Sequence, residues 1–167
     1  MSIGRFLLVA VPVMMLQIFF VPALRPLGVV PNAILVLVVL AGLLSTASAA
    51  LGTALAGGLL LDLTSGDGFF GLRICLLALL ALAAGLIHRA GLELSGPIMA
   101  LGLVAVATVV INAAALIGLI GSVSYWPPGL IFRTLALEIL LNMGLTLLMR
   151  PMIKWTVQTE PALKMSN

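Results

Sequence analysis

Residues 57–73 read GGLLLDLTSGDGFFGLR and lie between two segments that are almost wholly apolar. The stretch contains two acids, five glycines and an arginine, which is typical of a loop that joins two helices. Asp62 is its main candidate functional residue, because a carboxylate at the end of an apolar helix is costly unless it is paired, hydrogen-bonded or near water. The alternative is that Asp62 only caps its helix at the membrane surface.

The composition predicts an integral membrane protein. Hydrophobic residues make up 63% of the chain and charged residues 8%, against roughly 45–50% and about 25% in soluble domains. A spanning helix needs about 20 residues, so the chain provides about six helices and no soluble domain. We expect an all-α polytopic membrane protein, one domain over residues 1–167, with spans at 6–24, 27–44, 48–63, 74–88, 98–121 and 130–149.

Several kinds of site are excluded by the residue counts. The single cysteine, Cys75, cannot form an internal disulfide, and the single histidine, His88, leaves no cluster for a structural zinc. The eight Lys and Arg stand singly between apolar runs, which argues against nucleic acid as a partner. We therefore expect no metal, no cofactor and no nucleic-acid partner.

Small residues form two rows along the third predicted span. The rows consist of Thr46, Ala50, Ala54 and Gly58, and of Ala49, Thr53 and Gly57. Such rows let helix backbones approach closely, which favours helix association in lipid. We expect this span to be central in the bundle, and the alternative is a role in holding a partner protein.

Polar side chains also stand on the fifth and sixth predicted spans. Asn112 lies on a seam of small and polar residues and should point into the bundle. Glu138 lies roughly 12 Å below the start of its span, so it is protonated, bonded to a residue such as Asn112, or faces a polar cavity. Arg133 lies about 140° around the helix from Glu138 and can snorkel outward. The residues spaced by four along this span are Thr134, Glu138, Asn142 and Thr146.

The distribution of Lys and Arg predicts the orientation. Six crossings place Arg5, Arg89, Arg150, Lys154 and Lys164 on one side, and Arg25, Arg73 and Arg133 on the other. By the positive-inside rule, the side with five basic residues and both termini are cytoplasmic. Residues 21–25 lack a small-x-small cleavage site, so the first span should remain uncleaved. Asp62 and Arg133 then lie at similar depth toward the outer face, and we expect them to approach one another.

These motifs resemble a bacterial family. Gly57-Gly-Leu-Leu-Leu-Asp62, then Phe70-Gly71, and later Arg133 with Ile139-Leu-Leu-Asn142 before a short basic tail, are similar to the rod shape-determining protein MreD. The resemblance follows the order of the spans over most of the chain. It does not extend to Pro127, Pro128 or Glu138.

The resemblance implies a non-catalytic inner-membrane scaffold of the bacterial cell-elongation machinery, which builds the peptidoglycan of the lateral wall. The implied partners are the membrane-anchored MreC and, through it, RodA, a class B penicillin-binding protein and MreB, besides membrane lipid. Pairing of two copies as a homodimer stays open. The implied fold is a six-helix bundle similar to the substrate-binding subunits of energy-coupling-factor transporters.

The candidate residues for partner binding or a structural polar network are Gly57, Gly58, Asp62, Gly71, Asn112, Arg133, Glu138 and Asn142. Two other classes of function compete with the scaffold. In a transporter subunit for a vitamin-type molecule, the polar side chains would line a pocket open to the outside, which usually needs several aromatic residues. An intramembrane enzyme needs a base or a second carboxylate near Asp62, and His88 is predicted on the opposite side of the membrane. We therefore expect no enzymatic activity.

Overall fold

The computed structural model describes residues 3–19, 28–65, 70–90, 96–119 and 127–157. Within these ranges the chain is all-helical and contains no strand. The helices are α1 (Ile3–Phe19), α2 (Ala33–Leu44), α3 (Ala47–Ser65), α4 (Leu72–Arg89), α5 (Pro97–Leu119) and α6 (Pro128–Val157). Four of them, α3 to α6, are long and apolar enough to cross a membrane, and α1 and α2 are shorter apolar helices. The fold is therefore consistent with a membrane protein.

Within the described residues, two helices differ from the predicted spans by more than three residues at one end. The span predicted over 27–44 begins too early, because residues 28–32 are not helical and Asn32 caps α2. The sixth helix continues through Pro151 to Val157, since Ile153 and Thr156 beyond the proline are fully buried in the bundle. Parts of three predicted spans lie outside the described residues, at 20–24, 27 and 120–121.

The centre of the bundle is α2, and the expectation that the third span is central is wrong. Every residue from Ala33 to Leu43 is buried, and α2 contacts each of the other described helices. Its sequence, AILVLVVLAGLL, is apolar all round, which is typical of a fully buried helix. By contrast, α3 leaves Leu55, Leu59 and Leu63 exposed. The small residues of α3 therefore serve its contacts with α1, α2 and α4, while its leucine side is exposed.

Glycines allow α2, α3 and α4 to pack closely. A Cβ added at Gly57 would clash with Cγ2 of Ile34 on α2, and one at Gly58 would lie 2.6 Å from Cα of Ile74 on α4. A third close approach joins α2 to α4, where a Cβ at Gly42 would lie 2.5 Å from Cβ of Ala84. The three helices thus form a tightly packed group, and α1, α5 and α6 pack against it.

Candidate functional site

Hydrogen-bonded polar side chains connect α6, α5, α2 and α1 through the interior. At one end, Oε2 of Glu138 on α6 accepts a hydrogen bond of 3.0 Å from the side-chain amide of Asn112 on α5. The same Nδ2 donates to the carbonyl of Thr108, one turn earlier on α5, at 2.9 Å. Of the three alternatives that the sequence leaves for Glu138, the bond to Asn112 is present in the structure.

Asn142 continues this polar network into the core. Its side chain is fully buried, and its Nδ2 donates to Oγ1 of Thr108 at 3.0 Å. Its Oδ1 accepts a hydrogen bond of 2.8 Å from the backbone amide of Asn32, just before α2. Both ends of the Asn142 amide are therefore bonded, one to α5 and the other to the start of α2.

Gln17 of α1 binds the same helix start. Its Oε1 accepts a hydrogen bond of 2.8 Å from the backbone amide of Ala33, and its Nε2 donates to the carbonyl of Pro31 at 3.3 Å. The side chain of Asn32 accepts a further bond from the amide of Leu35 at 3.0 Å. The first amides of a helix have no partner within the helix, and an unsatisfied amide in an apolar interior is costly. Side chains of α1 and α6 therefore allow α2 to begin inside the bundle.

Asp62 binds the start of α4. Its Oδ2 accepts hydrogen bonds from the backbone amides of Gly71 at 2.9 Å and Ile74 at 3.4 Å. Its Oδ1 accepts one from the backbone amide of Arg73 at 3.3 Å. A carboxylate in this position satisfies the free amides and interacts favourably with the helix dipole. Gly71 has a φ of 95°, a left-handed conformation that favours glycine. Asp62 and Gly71 together fix the connection between α3 and α4.

The expected approach of Asp62 and Arg133 is wrong. Their helices, α3 and α6, do not contact one another in the part of the chain that the structure describes, and Arg133 is exposed. The donors to Asp62 lie only nine to twelve residues further along the chain. Arg73 strengthens the same connection, because its guanidinium donates to the carbonyl of Leu61 at 3.1 Å.

The predicted site residues therefore occupy separate places. Glu138, Asn112 and Asn142 belong to the polar network, Asp62 and Gly71 to the start of α4, and Gly57 and Gly58 to the close contacts of α3, while Arg133 stands apart. The sequence pattern did not mark Gln17, and the available signal was one amide side chain in an otherwise apolar run. Among the described residues, no three His, Cys, Asp or Glu side chains lie where they could hold a metal ion. The hydrogen bonds of these residues hold the helices in fixed positions relative to one another.

Comparison of the chain with known protein families, with curated proteins and with solved structures finds no match. The resemblance to MreD rests on the motifs quoted above.

Proposed function

We propose that this protein is a non-catalytic scaffold in the bacterial inner membrane, where it binds MreC and helps to regulate lateral peptidoglycan synthesis and rod shape. The proposal follows from the MreD-like motifs at Gly57–Asp62, Phe70–Gly71 and Arg133–Asn142. Through MreC, the chain associates with RodA, a class B penicillin-binding protein and MreB.

The observation that carries the proposal is that the interior polar side chains are bonded to one another. The amides of Gln17, Asn112 and Asn142 each contact a group on a different helix or at a helix start. Bonds of this kind hold helices in fixed positions, as a scaffold requires. A subunit that binds a vitamin-type molecule would need such side chains to face its ligand, so the network favours the scaffold over the transporter alternative.

The exposed side of α6 provides a surface for a partner helix. In an 18-residue apolar stretch of α6 only 11% of the residues are buried, the lowest share among the four long helices. Helices in lipid associate by close packing and by hydrogen bonds between them. The large exposed apolar residues of α6 before its basic end are Leu130, Phe132, Leu137, Leu140, Leu141, Leu147 and Leu148.

In this proposal all six helices cross the membrane, in a bundle similar to the substrate-binding subunits of energy-coupling-factor transporters, with both termini in the cytoplasm. Cζ of Arg5 lies 5.3 Å from the ring centre of Trp155, so α1 begins beside the end of α6. Arg150 and Lys154 stand on the same last part of α6. This concentration of positive charge supports a cytoplasmic location for that end of the bundle.

Affinity purification of the tagged protein from membranes in mild detergent tests the proposal, with the captured proteins identified by mass spectrometry. We expect a single-span periplasmic protein together with cell-wall synthases. An unrelated multi-span protein with the same tag is the control for proteins that bind any detergent micelle. Specific recovery of ATP-binding-cassette ATPases would overturn the scaffold in favour of the transporter subunit.

A further inference from the structure

The start of α1 and the end of α6 meet through a cation and an aromatic ring. Cζ of Arg5 lies over the ring of Trp155, 5.3 Å from its centre, a distance at which a ring attracts a cation. The five N–H groups of a guanidinium allow it to bind hydrogen-bond acceptors while it lies over a ring. Trp155 is exposed, so the pair presents a positioned cation at the surface of the bundle.

The last part of α6 adds two positive charges to this cation. Lys154 directly precedes Trp155 and is exposed, and Arg150 stands one turn earlier. The acids in the described part of the chain are Asp62 and Glu138. Glu138 lies about 18 Å before Arg150 along the helix, and Asp62 binds the start of α4, which contacts neither α1 nor α6. No described carboxylate therefore lies beside the three cations.

Exposed apolar side chains continue from these cations toward the middle of both helices. On α6, Leu148 lies two turns before Trp155 on the same side of the helix, and Met152 lies between them. On α1, Leu8 is exposed one turn after Arg5. Since α1 and α6 contact one another, the two helices share a surface that is cationic at its end and apolar below it.

In a bilayer, the length of α6 places Trp155 at the level of the lipid headgroups. From Pro128 to Trp155 the helix rises about 40 Å at 1.5 Å per residue. A bilayer with its headgroup regions is about 40–45 Å thick, and tryptophan is enriched where the headgroups lie. The cations of this surface then stand at the depth of lipid phosphates, and its leucines stand at the depth of acyl chains.

We propose that the start of α1 and the end of α6 together bind an anionic phospholipid. Its phosphate contacts Arg5 and Lys154, with Arg150 adding positive charge, and its acyl chains lie along Leu8 and Leu148. Basic groups between transmembrane helices bind anionic headgroups, whereas the ammonium of a zwitterionic lipid cancels the charge that the site recognises. The site therefore selects a headgroup with net negative charge, such as phosphatidylglycerol. This binding does not depend on the scaffold function proposed above.

Native mass spectrometry of the full chain in a neutral detergent tests the inference, with phosphatidylglycerol and phosphatidylcholine of identical acyl chains as probes. We expect phosphatidylglycerol to bind more tightly. Arg5→Gln and Lys154→Gln should each lower its affinity about fivefold, because a basic residue near an anionic surface contributes about 1 kcal/mol. Both variants should bind phosphatidylcholine as the wild type does. Arg133→Gln is the matched control, since it removes one exposed positive charge near the opposite end of α6 and should retain the preference.

The ratio of the two lipid affinities separates headgroup recognition from folding. Lys154 is exposed, so Lys154→Gln provides the test even where Arg5→Gln unfolds the protein. Equal binding of both lipids by the wild type overturns the inference, as does a preference that survives Lys154→Gln or that Arg133→Gln lowers equally. Glycerol phosphate, which carries the anionic group without acyl chains, should not displace phosphatidylglycerol at equal concentration. Displacement by it would indicate a site for small anions and would overturn the assignment to a lipid.

Discussion

Asn142 on α6 accepts a hydrogen bond of 2.8 Å from the backbone amide of Asn32, which lies 110 positions earlier in the chain. The same side chain donates to Thr108 on α5. A single buried amide therefore joins α6 to both α5 and the start of α2. Since α2 contacts each of the other described helices, this junction connects the periphery of the bundle to its centre.

Replacement of Asn142 with leucine, which has a similar volume, should destabilise the protein. The change leaves the amide of Asn32 without its acceptor in an apolar interior, which costs about 1–3 kcal/mol of unfolding free energy. Denaturant-induced unfolding in detergent, followed by circular dichroism, measures the loss. Thr134→Val is the control, because the Thr134 hydroxyl bonds only to the carbonyl of Leu130 within α6. Equal losses for the two variants would contradict the role of Asn142.

The bond between Asn142 and Thr108 should appear as coupling in a double-mutant cycle. Thr108→Val removes the hydroxyl that accepts from Asn142. The double variant Asn142→Leu/Thr108→Val should therefore lose less unfolding free energy than the sum of the single variants, by about 0.6 kcal/mol as is average for polar pairs in membrane proteins. Strict additivity would show that the two side chains do not interact in the membrane protein.

Alanine at Gly58 should force α3 and α4 apart. Its Cβ would lie 2.6 Å from Cα of Ile74, and a backbone atom cannot move without its helix, so we expect a loss of about 1–3 kcal/mol. The matched control is Gly52→Ala on the same helix, where a Cβ meets nothing within 4 Å. That variant should gain up to about 1 kcal/mol from helix propensity. Thermal unfolding in detergent compares them, and a Gly58→Ala protein as stable as the control would disprove the close contact.

The sequence predicts where helices lie better than how deeply each is buried. Long apolar runs identify spans, but α2 and α3 differ in burial because α2 is apolar on every side whereas α3 has lipid-compatible leucines beside its small rows. A helix surface that contacts protein and one that contacts lipid can both be apolar. Hydrophobicity therefore does not distinguish a helix that faces protein from one that faces lipid. The central position of α2 becomes evident only from its contacts.

The side-chain contact between Glu138 and Asn112 was predicted as one of three alternatives, whereas that between Asn142 and Thr108 was not. Glu138 lies deep in an apolar span and requires a partner in the interior, and Asn112 lies on the polar seam of the preceding span, so their bond could be anticipated. The bonds of Gln17 to Ala33 and of Asp62 to Gly71 involve backbone amides. Whether an amide is free depends on the residue at which its helix begins, which sequence patterns define poorly. This is why Arg133 was the wrong partner for Asp62.

Asp62→Ala should remove the cap of α4. Loss of a side chain that caps a helix N-terminus typically costs about 1 kcal/mol of unfolding free energy. Asp62→Asn should lose part of this stability, because both carboxylate oxygens accept backbone hydrogen bonds and the amide keeps only one acceptor. Arg133→Ala should have little effect, and the exchange Asp62→Arg/Arg133→Asp should not restore stability, because α3 and α6 do not contact one another. Thermal unfolding of the four variants checks this, and rescue by the exchange would refute the capping role.

The contact between Arg5 and Trp155 leads to a prediction about topology. It places the start of α1 and the end of α6 at one end of the bundle, and the nearby Arg150 and Lys154 favour the cytoplasm for that end. A green fluorescent protein fused to the C-terminus should therefore fluoresce. Alkaline phosphatase, which needs the oxidising periplasm for its disulfides, should be inactive there and active when fused within residues 66–69, between α3 and α4. Active phosphatase at the C-terminus would place the end of α6 in the periplasm. This would contradict the proposal that both termini lie in the cytoplasm.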